Sequence, residues 1–519
     1  MVPVANRTAC ARRKRFYQAE QRLPLDTGAV WAHLQAEGSP IASRTAVEDA
    51  MPSCDAPQVR TSLLTAAGLP TDAAAAWHEA LPEPSLAFTS DLRSYSDFWL
   101  KSARLMGRLP LAARRNEKEC AAAAVIQEAA RQARCRFLED HVEAVYDVLT
   151  DRLSRPVRVE DLVGAAADAV PGLLPSAQDI AAEDGRLQQD RSGAEIDQGL
   201  FLSAVLANRR TGTHLCHAML LPRPEAAALA GQFEQDGVVE LAGASVRRDG
   251  RAAVVSFANP RFLNAEDHGT LDAMETCVDL ALMDRASEIV VLRGAPVDHP
   301  KYRRRVFGAG INLTHLYHGR IPYIWYLQRD LGYVNKIYRG LAKADGPPPD
   351  EYGGTGIEKL WIAAVEGFAI GGHCQVLLVC DYVIAETDAY MTLPARKEGI
   401  IPGAANLRLP RFTGDRIARQ AIQRERAIPC DSPEGRLICD ETVAPGAMDQ
   451  AIERAVAGFA GSGVVSAVGN RRAFRISQEP LDLFRSYMAV YAREQAYCHF
   501  SPALIANLER HWDAHRRTP

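Results

Sequence analysis

Two consecutive glycines, Gly371 and Gly372, stand between two apolar runs and can do chemistry through their backbone. The run 361–365 before them predicts a short strand, and 374–380 after them predicts a buried helix. Glycines let a backbone approach a ligand closely, and the first N–H groups of a helix have no partner within it. Since the helix dipole is positive at that end, the pattern predicts an oxyanion site. The same glycines are equally consistent with tight packing of the strand against the helix.

A second glycine segment, residues 307–313 (FGAGINL), allows the same close approach through Gly308 and Gly310. Its GAG is not a dinucleotide-binding fingerprint, because the third glycine and its helix are missing. A basic run precedes the segment, and its four members are consistent with either phosphate binding or a solvated charged surface. They are Lys301, Arg303, Arg304 and Arg305.

Histidine and cysteine spacing bears on metal binding. The pairs His214 with His217 and His315 with His318 are spaced HxxH, but no acidic or cysteine partner lies at ligand spacing. The eleven cysteines are odd in number and include no C-x-x-C pair, which argues against a disulfide framework or a zinc ribbon. We therefore expect packed or solvated histidines, reduced cysteines and no metal site.

Length and charge limit the class of protein. The chain has 519 residues, too many for one ordinary core, and a net charge of −4 gives no electrostatic case for nucleic acid or an anionic membrane as partner. The basic N-terminus lacks the apolar segment of a secretory signal. Polar residues such as Glu366 and Asp381 interrupt the most apolar long stretch. We expect a cytoplasmic protein.

The pattern of apolar residues divides the chain into three parts. Residues 1–235 predict a helical domain, within which 1–90 are either partly disordered or an extended start. Residues 236–445 alternate between strands and helices, which indicates a sheet with crossover helices, and 446–519 return to helices. The expected elements are a long helix ending near Pro156, helices at 159–169, 176–189, 195–209 and 223–235, a hairpin turning at Asp249-Gly250, a helix after it, and a strand at 288–295.

Four segments resemble, in order and spacing, the crotonase superfamily of acyl-coenzyme A enzymes. They are 251–274 (RAAVVSFANPRFLNAEDHGTLDAM), 307–313, 363–375 (AAVEGFAIGGHCQ) and 393–409 (LPARKEGIIPGAANLRL). The resemblance implies an α/β fold whose ββα spiral core, residues 236–445, binds acyl-CoA and carries the catalytic site. It also implies that the C-terminal helices cap the site and build a homo-oligomer, either a trimer or a dimer of trimers.

The same resemblance assigns roles to individual residues. The oxyanion hole falls to the backbone N–H groups of Ile311 and Gly372, each donor contributing about 3–4 kcal/mol to a developing negative charge. Hydratases of the superfamily carry two catalytic glutamates, whose positions here hold Gln375 and Ala395. Neither side chain transfers a proton as a carboxylate does, which argues against addition of water to a double bond. The implied coenzyme A contacts are Phe262, Leu263, Ala309 and Gly310, with Arg303 and Arg304 as candidates for its phosphates.

One branch fits better, the cofactor-independent dioxygenases that act on 3,5-dihydroxyphenylacetyl-CoA in the biosynthesis of dihydroxyphenylglycine for glycopeptide antibiotics. The chain shares with it a long helical N-terminal domain and segments such as 328–340 (QRDLGYVNKIYRG). An aryl-acyl-CoA and O₂ are then the implied partners, with no metal or flavin, and CoA is part of the substrate. The branch places Glu266, Arg329 and Gln375 around the substrate ring, and the lost carboxylates leave an apolar dioxygen pocket of Leu313, Ala395 and Ile400.

Some features leave alternatives open. His373-Cys374 stand where the superfamily more often has Gly-Ala, which bears on the shape of the pocket. An isomerase or thioester hydrolase that uses Glu266 or Glu398 as its base is a second hypothesis. A third is an acyl-CoA-binding protein without catalysis, whose N-terminal domain is a surface for a partner.

Overall fold

The computed structural model describes residues 57–297, 299, 302, 304–343, 356–461 and 463–519. Residues Thr61–Pro519 pack as one compact unit. The predictions for residues 1–56, Lys301 and Arg303 lie outside the described residues. Among those described, no single helix is long and apolar enough to cross a membrane, and one bent pair, Met448–Gly461 with Val464–Gln478, reaches that length and apolarity only together.

The N-terminal part is helical because its apolar residues recur at helical spacing. In the longest helix, Ile126 and Phe137 belong to one buried stripe. That helix begins with a capping box, in which Asn116 accepts from the Glu119 N–H and Glu119 accepts from the Asn116 N–H. The helices are α1 (Pro57–Ala66), α2 (Thr71–Glu79), α3 (Phe88–Met106), α4 (Glu117–Thr150), α5 (Val159–Ala169), α6 (Ala177–Ala181), α7 (Ile196–Ala207), α8 (Arg209–Leu220) and α9 (Pro224–Asp236).

Strands begin at Val238 and build two sheets. The larger sheet has the order β1-β2-β3-β4-β5-β7-β10, and the smaller has the order β6-β8-β9. In the larger sheet β1, β2 and β3 pair antiparallel and all later neighbours pair parallel. The strands are β1 (Val238–Leu241), β2 (Gly243–Asp249), β3 (Ala252–Ala258), β4 (Ile289–Gly294), β5 (Leu360–Val365), β6 (Phe368–Ile370), β7 (Tyr382–Glu386), β8 (Tyr390–Thr392), β9 (Ile428–Pro429) and β10 (Glu441–Val443).

Helices connect these strands and cover the sheet. Parallel neighbours need such crossovers, because a parallel strand cannot be reached by a tight turn. The helices are α10 (His268–Met283), α11 (Leu313–Tyr317), α12 (Ile324–Leu331), α13 (Tyr333–Arg339), α14 (Gly372–Leu377), α15 (Ala395–Glu398), α16 (Ala405–Arg424), α17 (Met448–Gly461), α18 (Val464–Gln478), α19 (Leu481–His499) and α20 (Pro502–Trp512). The predicted α/β fold is confirmed.

The central strands are buried on both faces, as parallel strands between helices should be. Val291 and Ile362 pack in one cluster with Ala451 of α17. Their chain neighbours Leu292 and Ala363 belong to the main core on the opposite face. The parallel strands thus hold the loops at their carboxyl ends in fixed places, and the candidate site lies there.

The main apolar core crosses both predicted domain boundaries. It includes Phe137 from the N-terminal helices, Trp361 from the sheet and Phe484 from the C-terminal helices. Tyr323 also donates its hydroxyl to the Ala492 carbonyl at 2.6 Å. The boundaries at 235 and 445 therefore mark changes of element type within one packed unit, and the division into three domains stays a prediction.

Several predicted elements need correction. The helix predicted over 176–189 is only the short α6, and Gly185 beyond it has a φ of +77°, which an α-helix cannot contain. Helix α8 was not predicted; Asn208 separates it from α7 by accepting from the N–H groups of Arg210 and Thr211. The part of the predicted hairpin before its turn at Asp249-Gly250 is two strands, β1 and β2, because the chain folds back at Gly243, whose φ is +103°.

Candidate active site

The two predicted glycine segments meet at the carboxyl ends of the parallel strands. The Gly308 N–H donates to the Phe368 carbonyl at 3.2 Å, and the Ile370 N–H donates to the Gly308 carbonyl at 3.0 Å. At Gly310, whose φ is +78°, an added Cβ would lie 2.8 Å from the Ile370 oxygen and 3.3 Å from the Gly372 nitrogen. Only glycine fits here, and its absence of a side chain brings Ile311 beside Gly372.

Both predicted oxyanion donors are free to serve a ligand. Glu266 holds the first in place, because its N–H donates to the Gly310 carbonyl at 2.8 Å and its carbonyl accepts from Asn312 at 2.7 Å. Gly372 is the first residue of α14, so its N–H has no acceptor within the helix. Within the described residues neither the Ile311 N–H nor the Gly372 N–H donates to another group. The two groups line one cavity, here named the inner cavity.

The inner cavity has a polar side and an aromatic and apolar side. Besides Ile311 and Gly371, its residues come from α12, α14, α15, the loop after α15, and α19. Ala395 and Ile400 of the predicted dioxygen pocket line it, but Leu313 does not. Leu313 is the first residue of α11 and lines a neighbouring groove, so its part in the dioxygen pocket stays a prediction. The polar members are Arg329, Asp330, Gln375 and Glu398, the aromatic members are Trp325, Tyr326 and Tyr491, and the apolar members include Ala395, Ile400 and Ile401.

Arg329 is the centre of the polar side, and all five of its N–H donors are engaged. Its Nε and Nη2 donate to the two oxygens of Glu266 at 2.9 and 3.0 Å, and Nη2 also donates to the Gly372 carbonyl at 2.8 Å. Its Nη1 donates to Asp330 Oδ1 at 2.8 Å and to Gln375 Oε1 at 3.0 Å. A guanidinium has five donors, so none is left for a ligand unless a bond breaks. Arg329 therefore fixes the start of α14 and the Gln375 amide.

Glu266 is held ionised in this network. Burial alone would raise its pKa, but the charge of the adjacent Arg329 guanidinium, together with His373 and the hydrogen bonds from Arg329 and Tyr333, holds the pKa below its ordinary value. Tyr333 also donates its hydroxyl to the same carboxylate. A carboxylate stabilised in this way is a weak proton acceptor, which disfavours Glu266 as a base.

Asp330 is a polar residue of the cavity that the sequence did not reveal. It is buried, and burial raises the pKa of its carboxyl despite the neighbouring Arg329. A Cβ on Gly403 would lie 2.6 Å from its Oδ2, so the glycine makes room for the carboxylate. The only indication in the sequence that Asp330 belongs to the site was its position next to Arg329 in QRDLGY. Tyr491 gave no signal at all, since α19 lies far from the other site residues in the chain.

His373 contacts the glycine loop at Gly308 and Gly310 and does not line the inner cavity. Its Nδ1 accepts from the Gly310 N–H at 3.0 Å, and an added Cβ on Gly308 would lie 2.2 Å from its ring. Phe257 covers the ring, with centroids 4.2 Å apart. Burial lowers the pKa of His373 to about 4, so the neutral ring keeps the acceptor nitrogen that the loop requires. Burial also raises the pKa of the Cys374 thiol to about 12.

A groove on the other side of Ile311, here named the outer groove, contains most of the predicted coenzyme A contacts. Phe262, Leu263 and Ala309 line it, whereas Gly310 contributes through its close approach to Gly372. Arg304 does not line it: its Nη1 pairs with Glu386 at 3.3 Å and with Asp388 at 3.0 Å, and its predicted phosphate contact stays a prediction. The positive residues along the groove are instead Arg261, Lys397 and Arg517.

Ile311 and Glu398 line both the inner cavity and the outer groove. A ligand that extends from the groove into the cavity must therefore pass these two residues.

The histidine pairs are packed by ordinary contacts. His214 lies 2.9 Å from the Tyr146 hydroxyl and 3.0 Å from the Leu153 carbonyl, and His315 lies 3.0 Å from Asp267. His318 lies 2.9 Å from the Arg517 carbonyl. Over the described ranges no three His, Cys, Asp or Glu side chains are grouped so that they could hold a metal ion.

Known proteins resemble this chain at two levels. The family model for enoyl-CoA hydratase/isomerase matches residues 354–455. The (3,5-dihydroxyphenyl)acetyl-CoA 1,2-dioxygenase of Amycolatopsis orientalis is 45% identical over 417 residues, which cover 80% of this chain and 94% of that protein. The short-chain-enoyl-CoA hydratase of Clostridium acetobutylicum is 30% identical over 195 residues, 37% of this chain and 66% of that protein.

Among solved structures, an enoyl-CoA hydratase from Mycobacterium avium subsp. paratuberculosis K-10 is similar with a TM-score of 0.43 and 18% identity. The likeness covers 54% of this chain and 98% of that chain.

Proposed function

This chain belongs to the crotonase superfamily of acyl-coenzyme A enzymes, and we propose that it is a dioxygenase converting (3,5-dihydroxyphenyl)acetyl-CoA and O₂ to 3,5-dihydroxyphenylglyoxylate and free CoA. The observation that carries this is the 45% identity to such a dioxygenase over 94% of that protein's length. The site agrees with it, because Gln375 and Ala395 replace the two glutamates that a hydratase of the superfamily uses. Addition of water has no matching pair of acids here.

The inner cavity and the outer groove adjoin at Ile311, as the two ends of this substrate require. The CoA portion lies along the outer groove over Phe262 and Leu263, with Arg261 and Arg517 beside its phosphates. Lys397 also lines the groove, where it pairs with Glu425 at 3.9 Å. The thioester reaches Ile311 at the junction, and the aryl group enters the inner cavity with its aromatic wall.

The oxyanion hole makes the α-hydrogen acidic. When a proton leaves the carbon between ring and thioester, negative charge collects on the thioester oxygen, and the N–H groups of Ile311 and Gly372 stabilise it. Each such donor contributes about 3–4 kcal/mol because it is oriented before the reaction begins. The resulting enolate is rich in electrons.

The enolate then reacts with dioxygen beside Ala395 and Ile400. It passes an electron to O₂, and recombination at the α-carbon forms a peroxide. The distal oxygen attacks the thioester carbonyl, the C–S bond breaks and CoA leaves as its thiol. Cleavage of the O–O bond with loss of the second α-hydrogen gives the ketone and the carboxylate. Both oxygen atoms of O₂ end in the product, and the two α-hydrogens leave as protons.

Recognition of the ring hydroxyls falls to Asp330 and Gln375. Arg329 has no donor to spare, so it positions these two side chains and Glu266. Asp330 Oδ2 and the Gln375 amide nitrogen can pair with ring hydroxyls in the inner cavity. A site with these buried polar groups rejects phenylacetyl-CoA, which would leave them unpaired.

We also propose that the reaction needs no metal or flavin, and that the protein is a homotrimer or a dimer of trimers. Support for assembly comes from apolar side chains on the C-terminal helices, where Val465 is 85% exposed, Phe474 61% and Val490 64%. Light scattering behind a sizing column measures the mass. Dialysis against a strong chelator should leave oxygen uptake unchanged, and loss that one metal restores would contradict cofactor independence.

An oxygen electrode tests the function. The purified protein should consume O₂ with (3,5-dihydroxyphenyl)acetyl-CoA and release an equal amount of free CoA, with far lower rates on phenylacetyl-CoA. CoA release without O₂ uptake would indicate a thioester hydrolase. Binding without any reaction would indicate an acyl-CoA-binding protein.

A further inference from the structure

The reaction needs a base at the thioester, and one carboxylate stands there. Glu398 lines both the inner cavity and the outer groove, a position it shares only with Ile311 among the lining residues. Since Ile311 supplies an oxyanion N–H, the thioester belongs at the junction of the cavity and the groove, which Glu398 also lines. The Glu398 side chain is 5% exposed.

Local structure explains why Glu398 points inward. Ala395 and Glu398 are three residues apart on the single turn of α15, so they share one face, and both line the inner cavity. Gly399 ends the turn with a φ of +88° and packs against α20, where an added Cβ would lie 2.9 Å from the Leu504 Cα. A hydratase carries its acid at the Ala395 position. Here the acid lies one helical turn later, which leaves the space at Ala395 free for dioxygen.

The carboxylates of Glu266 and Asp330 are both committed to Arg329. Glu266 receives two of its hydrogen bonds and Asp330 receives one. In contrast, no hydrogen bond or ion pair within the described residues involves the Glu398 carboxylate. It is also the one that borders the oxyanion junction from both sides.

The surroundings of Glu398 also favour proton uptake. Burial, followed by the negative charge of Glu425, raises its pKa to about 7, and Lys397 lowers it by a smaller amount. Tyr326 faces it from α12, Arg329 and Asp330 lie in the same cavity, and Arg261, His299 and Arg517 line the groove. A base is most effective when its pKa is near the working pH.

We propose that Glu398 is the catalytic base that removes the first α-proton of the arylacetyl thioester. The Cα–H bond breaks, its proton moves to a Glu398 oxygen, and its electron pair forms the enolate whose oxygen the N–H groups of Ile311 and Gly372 hold. The protonated Glu398 then faces the groove, through which the proton returns to solvent. This step rests on the proposed function, which supplies O₂ as the oxidant of the enolate.

The test is exchange of the α-hydrogens of (3,5-dihydroxyphenyl)acetyl-CoA with D₂O under argon, followed by mass spectrometry, beside oxygen uptake in air. In Glu398→Gln, exchange and oxygen uptake should fall together by about 100-fold or more, as for loss of a general base. The dissociation constant of the thioester should change less than threefold, because the oxyanion donors are backbone groups. The control Glu139→Gln changes an exposed glutamate of α4 and should behave as wild type.

Glu398→Ala provides a second test of Glu398 as the base, which does not depend on whether Glu398→Gln folds normally. The space left by the side chain should admit formate, and added formate should restore exchange in proportion to its concentration. Exchange at the wild-type rate in either variant without formate would overturn Glu398 as the base while leaving the dioxygenase proposal intact. If the wild-type protein exchanged the α-hydrogens but consumed no oxygen, the dioxygenase proposal would be overturned and the assignment of Glu398 as the base would stand. Absence of both in wild type would overturn both.

Discussion

Two buried glutamates of the same site have opposite surroundings. Glu266 lies in the network of Arg329, where ion pairing keeps its pKa below the ordinary value. Glu398 lies at the junction with no hydrogen-bond or ion-pair partner among the described residues, and burial raises its pKa to about 7. Environments that separate the pKa values of two like groups assign them different tasks. The hydrogen bonds of Arg329 fix the geometry of the site, and Glu398 accepts the α-proton.

The largest effect should come from removing the Arg329 guanidinium. Arg329→Met removes five hydrogen bonds and leaves Glu266 buried without its counter-charge, which costs about 3–5 kcal/mol of the free energy of unfolding. Oxygen uptake should fall by about 1000-fold, because Gly372 and Gln375 lose their support. Thermal unfolding and an oxygen electrode measure the two effects. Arg329→Lys, which keeps the charge but not the fork of donors, should be intermediate in stability; wild-type stability of Arg329→Met would contradict the scaffold role.

The next effect separates the proton step from the oxygen step. Ala395→Glu should fill the space for dioxygen and draw in water, so that oxygen uptake falls by about 100-fold. Exchange of the α-hydrogens should persist or rise, because Glu398 and the backbone donors remain. Both rates are measured on the same sample, with Ala395→Gln as the uncharged control. A parallel fall of both rates would mean that Ala395 is only a core residue.

A smaller effect concerns the pH at which Glu398 works. Because the base must be ionised, the exchange rate should rise with pH and reach half its plateau near pH 7. Glu425 raises this pKa through like-charge repulsion, so in Glu425→Gln the rise should move to lower pH by less than about one unit. Exchange rates between pH 5 and 9 measure it. A shift to higher pH, or none, would mean that Glu425 does not act on the base.

The smallest effect concerns stability at low pH. His373 has a pKa of about 4 in the folded protein against an ordinary 6.5, so the unfolded chain binds more protons between these values. The free energy of unfolding should therefore fall as pH drops through this window, by up to about 3 kcal/mol. His373→Asn keeps an acceptor for the Gly310 N–H but does not titrate. Its melting temperature should depend less on pH between 6.5 and 4, and an unchanged dependence would contradict the assignment.

The sequence alone predicted those features of the site that depend on residues close together in the chain. Paired glycines before a helix predicted where Gly372 would be, and the missing carboxylates at Gln375 and Ala395 predicted an apolar space, since both depend on residues close in the chain. The sequence did not reveal that Arg329 uses every donor, because Glu266, Asp330, Gln375 and the Gly372 carbonyl meet only in the folded chain. The space that Leu313 lines could not be predicted for the same reason: its spacing from Ile311 does not determine whether it faces the cavity or the groove.

The central claim, that both atoms of O₂ enter the product through a peroxide on the α-carbon, is tested most directly by isotope labelling. The reaction is run with (3,5-dihydroxyphenyl)acetyl-CoA under ¹⁸O₂, and the arylglyoxylate is reduced at once so that its ketone oxygen does not exchange with water. Mass spectrometry should find two labelled oxygens in the product, one from the ketone and one in the carboxylate. A carboxylate oxygen derived from water would show that the thioester is hydrolysed and would contradict the account.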